Sequence, residues 1–346
     1  MDNTVIRIAS ALIIAFIVIG SLYFVGSVFE PVAFALFAII IVWPLQKALE
    51  TRMPRGLALL ITVLLTLGVV IKLASMVAWG GGQIAQWVVE NFDRLQNHYV
   101  SGTKWLEEHD IFIVSTVAEH FNASSLISVF QEIATRLNSL FGFSLLVFLF
   151  MAMGLLETDE FKANLESLGS QTHSARLMAA GARIGKKFRQ YMLVRTLASV
   201  LTGLLVWGFS LVVGLELAAA WGVIAYALNY IPLIGTLVAT VLPTIFAFAQ
   251  TGSWELPALV LATLAIIQFL IGSYFEPLFT AKTLAISPFV VMFAVFFWGF
   301  IWGLPGTFIG VPILIAVLTI CEQYPSCRWV AVLLSGRAPD AKSGAA

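Results

Sequence analysis

The sequence predicts an all-α protein that crosses a membrane several times, on three observations. Apolar residues make up 60% of the 346 positions and charged residues only 11%, against about 25% charged in ordinary soluble domains. Charge-free runs recur at lengths that suit a bilayer. Two of those runs are too long for one straight span, and both carry helix breakers. Hydrocarbon is the solvent in which an apolar surface of this extent is stable.

A helix rises about 1.5 Å per residue, so about 20 apolar residues cross the hydrocarbon core. The first candidate span is Ile8–Phe29, behind Arg7. Its length and the lack of a small-x-small site after it predict a span rather than a cleaved leader. Val32–Leu49 and Leu57–Trp79 follow, completing an N-terminal membrane region over 1–79. Residues 80–139 are polar. Leu140–Leu156 is a fourth span, and 157–190 is a second polar stretch. A C-terminal membrane core covers 191–321: a fifth span from Tyr191 to Leu215, a charge-free run over 217–254, a span at Leu256–Phe275, and a charge-free run over 283–321. A polar tail, 322–346, closes the chain. The expectation is about eight membrane segments, two of them broken or re-entrant, with a helical insert after the third span.

Lysine and arginine in short loops set orientation. Lys47, Arg52 and Arg55 place the second loop in the cytoplasm. Lys162, Arg176, Arg183, Lys186, Lys187 and Arg189 do the same for 157–190, and Arg328, Arg337 and Lys342 for the tail. Residues 80–139 hold three basic residues against seven acids and fit the outside. Within them Ile84, Trp87, Val88, Phe92 and Leu95 recur at helical spacing, which predicts an amphipathic helix. It would lie on the membrane, on a neighbouring subunit, or on the protein's own membrane region.

The long runs locate a candidate site. The first carries Asn229, Pro232, Gly235 and Pro243, and the second Pro288, Gly299, Gly303, Pro305, Gly306, Gly310 and Pro312. Proline removes a helix donor, and freed backbone groups are tolerated at membrane depth only against protein or a watery cavity. Paired Gly/Pro-interrupted segments point to a transporter's binding region. The predicted pathway therefore lies between the two runs, shaped by Asn229, Pro232, Gly235, Gln268, Gly303, Pro305, Gly306 and Pro312. Lys72, Arg195 and Glu276 are ionisable groups within or at the ends of spans, where charge is costly and often functional, although long cations also snorkel.

Other chemistries find little support. The nearest approach to a phosphate loop, Gly181-Ala-Arg-Ile-Gly185-Lys186-Lys187, lacks the four-residue spacing and the hydroxyl after lysine. No nucleophile elbow or His-Glu metal motif occurs. His98, His109 and His120 recur at intervals of eleven without a companion ligand, and Asn122-Ala-Ser124 is a formal glycosylation triplet. Cys321 and Cys327 read as reduced and unpaired. Neither cofactor, metal nor nucleic acid is expected, and net charge is zero.

The ordered motifs Pro31-Val-Ala-Phe-Ala, Trp43-Pro44, Met53-Pro54-Arg55-Gly-Leu-Ala58, Asn229-Tyr-Ile-Pro232-Leu-Ile-Gly235, Gln268, Pro277, Lys282-Thr-Leu, Ser287-Pro288, Trp298-Gly299, Trp302-Gly303-Leu-Pro305-Gly306 and Val311-Pro312 resemble the AI-2E family of bacterial transporters, the PerM-like permeases. The resemblance implies a multi-spanning inner-membrane protein, a soluble insert after the third span, and a homo-oligomer. It implies export of an autoinducer-2-like signal, or sodium/proton antiport. For antiport the chain's own charges offer Glu276 as the coupling group, Lys72 or Arg195 as its counter-charge, and Lys282 as a further candidate. The chain departs from the family at the acidic and asparagine positions before Pro277, which are Ile271 and Ser273, and at Ala281 where glycine is common. Three functions are thus in competition. One is a permease for a small solute, driven without ATP. The second is a cation/proton antiporter. The third is a non-transporting scaffold that recruits a partner through 80–139.

Overall fold

A computed structural model describes residues 3–92, 94, 123–167, 171–276, 278, 286–324 and 326–334. These residues are almost wholly helical: α1 (Asn3–Phe24), α2 (Gly26–Glu50), α3 (Arg55–Glu90), α4 (Ala123–Ser167), α5 (Gln171–Val212), α6 (Ala218–Leu228), α7 (Ile234–Thr251), α8 (Glu255–Leu270) with a π-helical turn at Ile271–Phe275, α9 (Pro288–Gln323) and α10 (Arg328–Leu334). Seven helical stretches among the described residues are long and apolar enough to cross a membrane. The chain divides into two compact units. Unit 1 holds Met1–Leu67, Phe143–Met192 and Thr280–Ala346, and unit 2 holds Gly68–Gly142 and Leu193–Phe279.

In unit 1, α1 stops at Phe24 instead of running to Phe29, and Pro31 lies inside α2. The break falls where α1 and α2 meet the second broken run. A Cβ on Gly26 would stand 3.3 Å from the Trp302 ring. A helix end leaves its last carbonyls without partners, and the Trp302 indole N–H donates to the Leu22 carbonyl at 3.0 Å. The α2 face carrying Ala35 and Val42 packs on Met151 and Leu155 of α4. At the far end of α2, Lys47 pairs with Glu50 (2.8 Å) and Asp159 (3.0 Å), and Arg55 donates to the Leu156 carbonyl.

Helix α9 is two arms. An unbroken helix of 36 residues would run about 54 Å, but Gly303 has φ 64° and ψ −143°, a conformation open essentially to glycine alone. The second arm folds back on the first. A Cβ on Gly306 would lie 1.9 Å from the Trp298 carbonyl oxygen, and one on Gly310 would lie 2.9 Å from that of Ala294. The arms are antiparallel and meet backbone to backbone, as small residues permit. Both ends return to one place, because the Ser287 amide donates to the Leu334 carbonyl of α10 at 3.2 Å.

Unit 2 contains the other broken run, folded on the same plan. Helix α6 ends at Leu228 and α7 starts at Ile234. Between them Leu233 sits at φ 62°, ψ −60°, with the Ile234 amide bonded to the Pro232 carbonyl at 2.7 Å. That is the rarer, strained form of γ-turn. A Cβ on Gly235 would fall 1.7 Å from the Leu228 carbonyl oxygen. The two helices pack through Trp221 and Phe246 at a ring separation of 5.1 Å.

The third helix does not stop at Trp79. It continues to Glu90, and Ile84, Trp87 and Val88 of the expected amphipathic helix pack into unit 2's own core with Phe246 and Leu264. The Trp87 indole N–H donates to Glu216, Arg94 to the Gln250 carbonyl, and Gln250 Nε2 to the Gly214 carbonyl at 3.0 Å. The loops on either side of the α6–α7 hairpin therefore meet at the end of α3. His98, His109, His120, Asn122, Pro277, Ala281 and Lys282 lie outside the described residues.

Candidate functional site

Helix α5 presents Arg195, Thr196, Ser199 and Thr202 at positions i, i+1, i+4 and i+7, one face of a helix. Arg195 is buried, and Ser199 and Thr202 are fully so. Buried polar groups in a membrane need partners, and the broken segment of unit 2 supplies them. Asn229, also buried, donates from Nδ2 to Ser199 Oγ at 3.2 Å. Tyr230 donates from its hydroxyl to Thr196 Oγ1 at 3.0 Å and shares a 3.3 Å hydrogen bond with the Tyr226 hydroxyl. Thr202 satisfies itself on the Ala198 carbonyl at 2.8 Å.

Arg195 Nη1 forms an ion pair with Glu276 Oε1. Glu276 comes directly after the π-helical turn, and its amide makes the i→i+5 bond to the Ile271 carbonyl. One extra residue in a turn rotates the helix beyond it by about 100°. Ile271 is buried at the start of that turn, and Ser273 is exposed. The carboxylate that meets Arg195 thus lies just beyond the π-helical turn.

Four residues of unit 2, Arg195, Ser210, Trp221 and Gln268, keep buried polar atoms without a partner among the described residues. Both polar atoms of the Gln268 carboxamide are buried without a partner, and so is Arg195 Nε. An orphaned buried polar group costs about 1–3 kcal/mol, and such a group in a native fold calls for a water, an ion or a ligand. Beside the cluster an apolar cleft of about 370 Å³ is lined by Leu73, Met76, Val200, Leu204, Trp207 and Tyr226. Its floor is the contact of Gly203 with Gly222, where either Cβ would come within 2.9 Å of the other's carbonyl oxygen. Tyr226 belongs both to the cleft and to the hydroxyl chain.

The sequence-derived candidates divide between the units. Asn229, Pro232, Gly235, Gln268, Arg195 and Glu276 fall in unit 2, while Gly303, Pro305, Gly306 and Pro312 fall in unit 1. Asn229 and the Arg195–Glu276 pair share the α5 face, since their partners are Ser199 and Arg195 itself. Lys72 is exposed on α3 and has no ion-pair partner among the described residues. The hairpin arms of unit 1 carry no charged side chain between 288 and 321. Thr196, Ser199, Tyr226 and Tyr230 were missed by sequence reasoning. Their signal was the four-residue polar spacing on α5, which is weak because serine and threonine commonly bridge membrane helices. Among the described residues no three His, Cys, Asp or Glu side chains gather as metal ligands.

Similarity to known proteins runs along almost the entire chain. The profile of the family described as "AI-2E family transporter" matches residues 12–326. The AI-2 transport protein TqsA of Escherichia coli K12 is 27% identical over 326 residues, 92% of each chain. A Borreliella burgdorferi protein, provisionally named a transport protein, is 30% identical over 228 residues, 64% of this chain and 62% of its own. A Haemophilus influenzae protein with the same provisional name is 23% identical over 340 residues, 96% of each. With spans, paired hairpins and a family match over nearly its whole length, the chain is a multi-pass membrane protein that belongs to the AI-2E transporter family.

Proposed function

We propose that this protein moves a small polar solute across a bacterial inner membrane without ATP hydrolysis, an autoinducer-2-like signal being the leading candidate. Its termini lie in the cytoplasm, and it works as a homo-oligomer. The observation that carries this reading is the Gln268 carboxamide, buried with neither polar atom satisfied. A carboxamide offers donors and an acceptor together, which suits a hydroxyl- or carbonyl-bearing solute. The Arg195–Glu276 pair of the same unit cancels its own charge, which favours an uncharged passenger. The test is uptake of autoinducer-2 into proteoliposomes. Gln268→Leu is expected to weaken apparent affinity about 3–10-fold, the effect of one hydrogen bond near 1 kcal/mol. Undiminished uptake by Gln268→Leu overturns the role of the carboxamide, and absence of uptake by well-folded wild type overturns the substrate.

One observation supports the antiport reading: Glu276 is a carboxylate at the end of a candidate span, with a buried counter-charge in Arg195. It predicts that an imposed sodium gradient moves protons and that Glu276→Gln stops this. Removing one partner of a buried pair is itself destabilising by about 3–5 kcal/mol. The Arg195→Gln/Glu276→Gln double variant is therefore the control. Antiport requires that it too be inactive while folded.

A further inference from the structure

Two thiols sit at the end of the unit 1 hairpin, one on each side of a tight turn. Cys321 lies in the last turn of α9 and Cys327 immediately precedes α10. The two residues touch across the turn. Cys327 Sγ also stands 3.7 Å from the Tyr324 carbonyl oxygen and 3.9 Å from that of Cys321. The turn is closed by the Cys327 amide on the Tyr324 carbonyl at 3.1 Å. Both cysteines are half-buried, so their sulfurs remain within reach of solutes. Glu322, beside Cys321, pairs with Lys187 at 2.7 Å and is 42% exposed, which puts this end of α9 in water. Ser326, beside Cys327, is exposed.

We propose that Cys321 and Cys327 are a reversible dithiol/disulfide site whose reagent is a low-molecular-weight disulfide of the glutathione kind. The Cys327 thiolate attacks one sulfur of the reagent and expels its first thiol, leaving a mixed disulfide. The Cys321 thiolate then attacks the Cys327 sulfur and expels the second thiol. The protein loses two electrons and two protons, and both are carried away by the two reagent thiols. A reducing cytoplasm keeps the pair open until the disulfide pool rises.

The bond has a structural target. It fastens the start of α10 to the end of α9, and α10 holds Ser287 through the Leu334 carbonyl at 3.2 Å. Ser287 is the residue from which the first arm of the hairpin departs. Oxidation therefore tightens the base of the hairpin carrying Gly303, Pro305 and Gly306.

The experiment treats the purified full-length protein with glutathione disulfide and reads intact mass and amide exchange. Wild type is expected to lose the mass of two hydrogens, keep no glutathione, and recover with dithiothreitol. Cys321→Ser and Cys327→Ser are each expected to retain one glutathione adduct instead. Ser287 amide exchange should slow several-fold in oxidised wild type and not in either variant. Stable adducts on wild type, or no reaction, overturn the disulfide. Disulfide formation with unchanged exchange at Ser287 overturns its link to the hairpin.

Discussion

Gly235 and Gly306 stand where two helices meet through their backbones. In an open helix position, alanine in place of glycine gains about 0.5–1 kcal/mol, because glycine loses more freedom on folding. That gain is lost at these two sites, since the added carbon would lie 1.7 Å from the Leu228 oxygen or 1.9 Å from the Trp298 oxygen. Backbone carbonyls cannot rotate aside as a flexible side chain can. Overpacking of this kind costs about 1–3 kcal/mol and upward. Gly235→Ala and Gly306→Ala are therefore expected to lower the unfolding temperature in detergent. Gly208→Ala, in open space on α5, should leave it unchanged or raise it. Equal behaviour of all three variants would mean that neither hairpin is closed through its glycine. Leu233 adds a different residue-scale cost: its positive φ stores about 1–3 kcal/mol. The hairpin tolerates it because Pro232 and Gly235 leave no other way round a turn this short.

At the scale of elements, the second hairpin is tied to the N-terminal helices by a polar contact set in an apolar cluster. Trp302 packs with Ile301 and Ile309 against Leu22, Ala33, Phe34 and Phe37. Its indole N–H satisfies the Leu22 carbonyl that the end of α1 leaves open. Trp302→Phe keeps an aromatic ring but removes the donor, and is expected to cost about 1–3 kcal/mol. Thermal unfolding measures the loss, and faster amide exchange in the last turn of α1 locates it. The ion pairs at the other end of α2 should matter less. Lys47 and Asp159 are 38% and 44% exposed, and exposed pairs contribute about 0–1 kcal/mol. If Asp159→Asn destabilises as much as Trp302→Phe, the apolar cluster is not what secures the hairpin.

For the molecule as a whole, the membrane class and both hairpins were legible in the sequence because charge-free length and Gly/Pro breakers are direct physical requirements. Asn229, Pro232 and Gly235, and likewise Gly303, Pro305 and Gly306, mark the breaks to within a residue or two. The extension of α3 was not legible. The Gly80-Gly81-Gly82 triplet reads as a helix end, yet Gly80 instead lets α3 approach the Ala220 backbone of α6. The counter-charge of Glu276 was legible only as a choice between Lys72 and Arg195, and it is Arg195 that meets Glu276, just beyond the π-helical turn at Ile271–Phe275. Breakers alone leave open whether the hairpins cross or re-enter. Helix α6 has 11 residues, about 16 Å of rise against a core near 30 Å. Its two flanking loops also meet at the end of α3, through Gln250 and Gly214. A helix that short, with its flanking loops together, predicts a re-entrant segment whose 229–233 turn lies inside the membrane. In a Cys321→Ser/Cys327→Ser background, Ser253→Cys should therefore react with an impermeant maleimide from outside the cell, and Arg52→Cys only from inside. Leu233→Cys should stay unlabelled from either face. Rapid labelling of Leu233→Cys from the cytoplasmic side would instead make α6 a full crossing, and the buried Asn229 contact a feature of the membrane surface rather than of its interior.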